Sequence, residues 1–377
     1  MNKLTPRYEY SRYVIKQKVH ELLGIKCPFG FCVRYAVKAN PHTEIVSIMN
    51  RSGIHFDASS SYEAVYLIEQ GVEAGKISLS SQQAPHNFDY LLDKGILFVA
   101  TSLKQLELFL AEPSHPLRVG VRINPDFNLG GHNKRTSTGG VNASFGIWHE
   151  YIPQVLEMVS KCGVLVDRLH IHVGSGSDPD IWGQVMDVAL EVVEKMPDVN
   201  ILDIGGGYKV HRYGSEGETN MKQVGAVFSE KLNNFANKTG RQISLEIEPG
   251  TYLVAHAGVL VATVDDIVDT GKNGYTFLRL NTGMNDFLRS VMYGARHKIE
   301  VINDAEEKIP YVVVGHNCES GDIFTPVEND PESIDTIMLS KAGIGDEVRI
   351  YDVGAYCASM RARGYNSFPD ATEVMVD

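Results

Sequence analysis

The sequence predicts an α/β protein, a (β/α)8 TIM barrel with a second, C-terminal mostly antiparallel β domain. Three observations indicate this fold. Eight short β-rich runs alternate with amphipathic helical segments. Residues that can take part in catalysis or bind a ligand lie at the carboxyl ends of most of these runs, as they do in barrel enzymes. Beyond about residue 258, strands succeed one another without helices between them. We therefore expect a barrel over 14–258 and a β domain formed by 1–13 plus 259–377.

The β-rich runs lie at 31–38, 54–60, 76–81, 96–102, 117–124, 167–174, 200–205 and 243–248. Helical patterns between them include 61–71, 103–111, 151–162 and 181–195. The long interruption at 125–144 is rich in Gly, Asn, Thr and Ser, which predicts an active-site loop. A doubly wound sheet is the competing architecture. It is less favoured because nothing in the sequence marks a reversal of strand order.

The first run ends in a lysine that needs an explanation. Apolar residues alternate from Phe31 to Val37, and Lys38 follows before Asn40 and Pro41 end the strand. A lysine in such a partly desolvated place can have a lowered pKa and form a Schiff base with a carbonyl cofactor. If Lys38 is considered alone, the preferred interpretation is a lysine at a strand end whose methylene chain is buried and whose ammonium group reaches water.

Other reactive residues follow the later runs, and in a barrel the carboxyl ends of all strands meet at one face. They are Asp57, Ser80, Ser81, Asn124, His172, Ser175, Gly205, Gly206, Gly207 and Glu248. The consecutive glycines leave backbone N–H groups free to approach a phosphate, although such a triplet is often only a tight turn. His172 adds a flat ring and Ser175 a hydroxyl group.

Three further residue types bear on the chemistry. His170 and His172 could indicate a metal site, but no carboxylate with suitable spacing completes one, so no metal is expected. Each histidine alone is typical of a hydrogen-bonded core residue. If a pyridine ring lies near Glu248, this carboxylate would keep the ring nitrogen protonated. In the β domain, the acidic neighbours of Cys318 favour only a buried, inert thiol.

Composition narrows the class of protein. The 377 residues are 43% hydrophobic and 22% charged, which suits a large globular core and two domains. Without a run of about 20 apolar residues or a signal-peptide core, we expect a soluble, cytoplasmic protein. Five scattered cysteines indicate reduced thiols. A net charge of −12 without a basic cluster argues against binding to nucleic acid.

Several motifs together resemble the pyridoxal-phosphate decarboxylases built on the alanine-racemase-type barrel. These motifs lie at 35–40, 172–176, 205–207, 248–250, 318–322 and 354–357, and the resemblance spans nearly the whole chain. Within that family, segments 283–289, 293–295, 318–322 and 365–369 are most similar to the branch that converts meso-2,6-diaminopimelate to L-lysine and CO2 in lysine biosynthesis.

The resemblance implies pyridoxal 5'-phosphate as cofactor and a role for each matching residue. Lys38 would carry the cofactor, His172 would stack on its ring, and Glu248 would meet the ring nitrogen. The other implied cofactor contacts are Asp57, Ser175, Gly205, Gly206, Gly207, Gly250 and Tyr356. Cys318 would protonate the α-carbon after CO2 leaves. Arg289, Tyr293, Glu319 and Tyr356 would bind the substrate. The family also implies a homodimer whose active sites are shared between subunits.

One position departs from that family. Thr251 stands where the family usually has arginine, and Arg296 is a possible replacement cation, although a surface arginine is the preferred interpretation.

The rival functions are decarboxylation of another basic amino acid or carboxynorspermidine, racemisation, and a non-catalytic, cofactor-binding regulatory role. Arg289 favours a substrate with a distal carboxylate. Lys38 and Cys318 together argue against a non-catalytic protein.

Overall fold

The computed structural model describes residues 4–127 and 138–377. These residues form two compact units. The barrel unit contains the described parts of 17–209 together with 217–250. The sheet unit contains residues 4–16, 210–216 and 251–377. Segment 210–216 thus belongs to the sheet unit although barrel residues precede and follow it in sequence. Among the described residues, no helix combines the length and apolarity needed to cross a membrane.

The first elements are β1 (Arg7–Ser11) and α1 (Arg12–Leu23), and the barrel strands follow them. The barrel consists of β2 (Phe31–Ala36), β3 (His55–Ala58), β4 (Ile77–Leu79), β5 (Leu97–Ala100), β6 (Arg118–Asn124), β8 (Leu165–His170), β9 (Ile201–Asp203) and β10 (Ser244–Ile247). Neighbouring strands pair in parallel, and β10 pairs with β2, which closes the barrel. A short β7 (Ile147–Trp148) pairs with β6. The predicted (β/α)8 barrel is confirmed, and the doubly wound alternative is wrong.

The helices of this unit are α2 (Thr43–Arg51), α3 (Ser61–Glu69), α4 (Phe88–Lys94), α5 (Leu103–Leu110), α6 (Ile152–Cys162), α7 (Pro179–Glu194) and α8 (Met221–Thr239). Polar side chains cap their starts: Ser60, Ser102 and Asn220 each accept a hydrogen bond from the N–H group three residues later. Gly163 and Gly240 end α6 and α8 in the left-handed conformation that favours glycine.

Three buried charged side chains form a layer inside the barrel, which we call the lower ionic layer: Arg34, Arg168 and Glu246. Arg34 donates two hydrogen bonds to Glu246, from Nε at 2.7 Å and from Nη2 at 2.9 Å. Arg168 donates to the same carboxylate. Because β8 and β10 are not neighbours, the Arg168–Glu246 pair crosses the barrel interior. Side chains two residues apart share a face of a strand, so the next inward positions are His170 and Glu248.

The sheet unit is built on strands β11 (Gly258–Asp269), β12 (Thr276–Leu280), β13 (Ile299–Ile302), β14 (Lys308–Val314), β15 (Pro326–Val327), β16 (Asp330–Ile334), β17 (Ile337–Ser340), β18 (Glu347–Tyr351) and β19 (Thr372–Val376). It also contains α9 (Thr251–Val254) and α10 (Arg289–Tyr293). The main sheet has the order β13-β18-β11-β12-β14-β17 and is mostly antiparallel, as predicted. β1 pairs antiparallel with β11 and parallel with β19.

Candidate active site

Lys38 lies directly after β2, in a single 3-10 turn formed by Val37–Ala39. Its neighbours Val37 and Ala39 are buried, and the Tyr35 hydroxyl donates to the Asn40 carbonyl at 2.8 Å, which fixes the turn. The Lys38 side chain is 47% exposed, and its Nζ lies 3.9 Å from Oδ2 of buried Asp57. The amine is therefore accessible while its backbone is held rigidly at the carboxyl end of the barrel.

Three buried side chains at this end form a group that we call the mouth cluster: His170, Asp203 and Glu248. One ligand atom from each lies within 4.8 Å of the others, and His170 Nε2 is 3.3 Å from Glu248 Oε2. Burial and the negative charge of Asp57 raise the pKa of Glu248 to about 8, against the opposing charge of Lys38. Burial and Glu248 also raise the pKa of Asp203. The two carboxyl groups therefore retain a proton at neutral pH.

The sequence-based argument against a metal considered only spacing along the chain, and the fold corrects that premise, while the absence of a metal stays a prediction. Asp203 and Glu248 are distant from His170 in sequence, yet the fold brings all three together. Burial lowers the pKa of His170 to about 4, so its imidazole is neutral.

Several buried polar atoms here have no hydrogen-bond partner among the described residues. They include Oδ1 of Asp57, Nδ1 of His172 and Oε1 of Glu248. Buried polar atoms are nearly always hydrogen-bonded in folded proteins. Burial, followed by the charges of Arg122 and Lys38, lowers the pKa of His172, so its ring is neutral. A cluster of such atoms at strand ends indicates a place for a polar, planar ligand.

The glycine loop, residues 205–207, adjoins the mouth cluster. Gly205 donates its N–H to Asp203 Oδ1 at 2.9 Å, and its carbonyl accepts the Glu248 N–H at 2.9 Å. A Cβ atom at Gly206 would collide with the Glu248 carbonyl, and one at Gly207 with the Gly174 carbonyl. Close packing therefore demands glycine here. Within the described residues, the Gly206 and Gly207 amides donate to no protein acceptor, so they suit an anion.

Aromatic packing supports the glycine loop. Trp182 of α7 stacks on Tyr208 with ring centroids 4.4 Å apart, and its Nε1 donates to the Gly176 carbonyl at 3.3 Å. Gly176 in turn donates to the Gly207 carbonyl at 3.1 Å. Ser175 is exposed beside these residues, and Gly250 is buried at the end of the barrel unit. The glycine loop is thus held in place by the core.

The sheet unit carries the remaining predicted residues. Cys318 is exposed, which corrects the expectation of a buried thiol from its neighbours alone, whereas Cys357 is buried. The Cys318 N–H donates to Asn366 Oδ1 at 2.7 Å, and the Tyr365 hydroxyl donates to Glu319 Oε2 at 3.3 Å. The segment that follows Gly364 therefore positions both residues. All five cysteines are free thiols, as expected.

Arg289 and Tyr293 are the first and last residues of α10. Arg289 Nη1 donates to His297 Nε2 at 3.2 Å, while His297 Nδ1 donates to the Tyr351 carbonyl at 2.8 Å. Burial, Arg289 and Arg212 all lower the pKa of His297, which keeps the imidazole neutral. Tyr356 has a left-handed φ of 56°, a conformation that is uncommon for a residue with a side chain and concentrates at functional sites.

Arg296 is not a surface residue, contrary to the preferred interpretation. It is 4% exposed, and its guanidinium donates to the Pro326 carbonyl at 2.9 Å and to Asp335 at 2.8 Å. These partners leave it unsuited to bind substrate directly. Thr251 begins α9 and is partly buried.

The sequence reasoning missed Arg122 and Arg212 and gave Asp203 no role. Arg122 lies buried on β6, 5.0 Å from the Phe145 ring, and its charge opposes the rise in the pKa of Glu248. A charge within an apolar strand is the signal that singled out Lys38, and it applies equally to Arg122.

Asn124 binds Gly140 at the base of the predicted loop 125–144. Residues 128–137 of that loop lie outside the described residues.

Comparison with known proteins gives a consistent result. Residues 16–255 match the family model for the pyridoxal-binding domain of pyridoxal-dependent decarboxylases. The chain is 32% identical to the diaminopimelate decarboxylase of Streptomyces coelicolor over 392 residues, covering 99% of this chain and 84% of that relative. It is 30% identical to the Escherichia coli enzyme of the same name, covering 99% and 89%.

Solved structures agree. A crystal structure of a diaminopimelate decarboxylase matches with a TM-score of 0.89 at 29% identity, covering 99% of this chain and 88% of that one. The Helicobacter pylori diaminopimelate decarboxylase in complex with L-lysine matches with a TM-score of 0.86 at 26% identity, covering 100% and 92%.

Proposed function

This chain belongs to the family of pyridoxal-dependent decarboxylases, and from that premise we propose that it decarboxylates meso-2,6-diaminopimelate to L-lysine and CO2. The observation that carries the proposal is the mouth cluster with its unpartnered carboxyl oxygen, beside Lys38 and the glycine loop. We place the reaction in lysine biosynthesis and the protein in the cytoplasm.

The barrel residues fit pyridoxal 5'-phosphate. The Gly206 and Gly207 amides and the Ser175 hydroxyl would hold the phosphate, Lys38 would bind the aldehyde carbon, and Glu248 would meet the ring nitrogen. His172 offers a neutral ring for stacking, and Asp57, Gly250 and Tyr356 would complete the contacts. Bound there, the cofactor supplies an electron sink for the electron pair left at the α-carbon when CO2 departs.

The proton held between Glu248 and Asp203 has a specific use. A raised pKa means that the carboxyl group of Glu248 keeps its proton at neutral pH. Glu248 could therefore share this proton with a ring nitrogen held beside it, and the resulting carboxylate would form a favourable buried pair with the cation. Gly205 N–H, bound to Asp203 Oδ1, keeps Asp203 directed toward this pair.

The sheet unit would supply the acid and the substrate contacts. The exposed thiol of Cys318 would donate a proton to the α-carbon. Arg289 would bind the distal carboxylate as a planar, two-pronged donor. We assign further substrate contacts to Tyr293, Glu319 and Tyr356.

We also propose a homodimer in which Lys38 of one subunit works with the partner subunit's Cys318. Lys38→Ala and Cys318→Ala proteins should each be nearly inactive alone. After full subunit exchange, half of the dimers are hybrids with one intact site, so activity should recover to roughly a quarter of wild type. Exchange verified by differently tagged chains without recovery would contradict shared sites.

The substrate is tested by CO2 release from meso-diaminopimelate, lysine, ornithine, arginine and carboxynorspermidine. Thr251, in place of the usual arginine, favours a diamine-forming enzyme as the alternative, because a diamine precursor needs no distal cation. We expect turnover of diaminopimelate alone. Turnover of a diamine precursor without turnover of diaminopimelate would refute the substrate assignment. A borohydride-fixed adduct on Lys38, lost in Lys38→Ala, tests cofactor attachment separately.

A further inference from the structure

The surroundings of Arg289 contain a second arginine whose role the family motifs do not explain. Arg212 is 7% exposed and lies in segment 210–216, the part of the sheet unit that is inserted between barrel residues. A buried arginine needs polar partners for its five N–H donors. The question is therefore which groups Arg212 faces.

Its partners within the described residues are too few. Arg212 Nη1 is 3.4 Å from Glu216 Oε1, a long contact, and the buried Nε has no hydrogen-bond partner. Burial and the positive charge of Arg289 lower the pKa of Arg212 to about 10, although Glu216 opposes them. The other acid near Arg212, Asp352, is bound to His256 at 2.6 Å.

Arg289 is similarly placed. Its recorded partners among the described residues are the neutral imidazole of His297 and the thiol of Cys357, not a carboxylate. Burial raises the pKa of Cys357 to about 11 despite the charges of Arg289 and Arg212, so the thiol stays protonated. Both guanidinium groups thus lie near Cys357 and His297, and among the described residues Glu216 is the one carboxylate paired with either of them, through Arg212 at 3.4 Å. Such a pair calls for an external anion.

The chemistry of the pair identifies the anion. Two guanidinium groups offer planar donor pairs, which match a carboxylate better than a spherical ion. The charges of both arginines act to lower the pKa of Cys357, so both side chains lie near this thiol. Cys357 directly follows Tyr356, a proposed substrate contact. We propose that Arg212 and Arg289 together bind the distal carboxylate of the substrate, and that Arg212 supplies the cation missing at Thr251. This inference rests on the proposed function and deepens it.

Arg296 acts in the same arrangement as a positioning residue. Its guanidinium lies 4.7 Å from the centre of the Tyr213 ring, and Nη2 donates to the Tyr213 hydroxyl at 3.1 Å. Tyr213 adjoins Arg212 in sequence, so Arg296 fixes the segment that presents Arg212. Buried Arg296 and the absence of arginine at position 251 thereby receive one explanation.

The test compares two inhibitors that differ by the distal carboxylate alone, on the cofactor-loaded enzyme. L-lysine, the product, keeps this carboxylate because CO2 leaves from the reacting carbon, and cadaverine lacks it. Binding is measured as the inhibition constant of each against diaminopimelate turnover. Arg212→Gln should weaken L-lysine binding by roughly 10- to 150-fold and change cadaverine binding by less than about 3-fold. Arg363→Gln is the matched control, because Arg363 is 68% exposed in the same unit, and it should change neither value.

Two further variants keep the test decisive. Arg212→Lys preserves the positive charge but not the planar pair of N–H donors, so its affinity for the carboxylate ligand should lie between those of the wild type and Arg212→Gln. Arg296→Gln should weaken the binding of L-lysine but not of cadaverine, which a purely structural role would not do. In the Arg212→Gln/Arg289→Gln double variant, the loss should be smaller than the product of the single losses, because both residues bind one carboxylate.

The outcomes separate this inference from the proposed function. If the wild type releases no CO2 from diaminopimelate, the proposed function fails, and dissociation constants measured by calorimetry replace the inhibition constants. A loss confined to L-lysine in Arg212→Gln, with cadaverine binding unchanged, would then still support the anion site. If CO2 is released and Arg212→Gln and Arg212→Lys affect both ligands equally, or neither, the inference is wrong and the function stands.

Discussion

The lower ionic layer and the mouth cluster occupy successive positions in the same barrel, yet their polar atoms are partnered very differently. Glu246 receives hydrogen bonds from two arginines. Glu248, two residues further along the chain, keeps an unpartnered buried oxygen. Burial alone would raise the pKa of Glu246, but Arg34 and Arg168 outweigh it and lower that pKa, whereas the pKa of Glu248 is raised. Complete pairing serves the fold, and incomplete pairing leaves a proton available for chemistry.

The largest expected effect comes from breaking the complete layer. Glu246→Gln leaves two buried arginines without their carboxylate, which should lower the free energy of unfolding by about 3–5 kcal/mol. Urea unfolding of the cofactor-free protein measures this. Asp167→Asn is the control, because its partner Arg118 is 61% exposed and such pairs contribute about 0.2–1 kcal/mol. Equal losses in the two variants would show that the layer is not a stabilising feature.

The mouth cluster should respond in the opposite way. Glu248→Gln replaces a protonated carboxyl group by a neutral amide of similar shape, so at about pH 5 the free energy of unfolding should change by less than about 1 kcal/mol. Activity should fall by about 10²–10³, because the variant lacks the group that we propose stabilises charge on the cofactor ring. Steady-state kinetics and urea unfolding of the same preparation measure both. A stability loss like that of Glu246→Gln would erase the distinction between the two groups.

The two groups should also differ in pH dependence. The folded-state pKa of Glu248, about 8, exceeds its ordinary value of 4.5. Its folded form therefore retains a proton that the unfolded chain releases, and stability should fall as pH rises from about 5 to 8. The slope is at most about 1.4 kcal/mol per pH unit for one proton. Tm of the cofactor-free protein measures it, and Glu248→Gln should flatten the curve.

Glu246 carries the opposite sign. Because its folded-state pKa is lowered, its contribution is present above its ordinary pKa and disappears as pH falls through the lowered value. A cofactor-free wild type whose Tm rises between pH 5 and 8 would contradict the assignment of a retained proton to the mouth cluster.

The smallest effect concerns Tyr208, whose buried hydroxyl is also unpartnered among the described residues. Tyr208→Phe keeps the stacking on Trp182 and removes an unsatisfied polar atom, so stability should change by less than about 1 kcal/mol, in the stabilising direction. Thermal unfolding measures this, and spectroscopic titration measures cofactor affinity. A weaker cofactor affinity would show that this hydroxyl belongs with the ligand contacts.

The comparison also explains what the sequence could reveal. The strands were predictable because apolar residues alternate along them, and Lys38 and Glu248 stood out as charges at strand ends. The mouth cluster was not predictable, because the approach of His170 to Asp203 and Glu248 depends on barrel closure rather than on spacing. Arg212 gave no signal at all. It lies in a connection without periodicity, and its importance follows from the charge of Arg289.

The pairing of β1 with β19 has a consequence for how the chain folds during synthesis. Tyr8 lies opposite Glu373, so these strands are separated by almost the entire chain. At about 5–20 residues per second, roughly 20–70 s pass between their emergence from the ribosome. Barrel contacts are more local in sequence and can form within that interval, whereas β1 waits for both β11 and β19. Completion of the sheet unit, with its proposed acid and arginine pair, is therefore a late event in the life of each newly made chain.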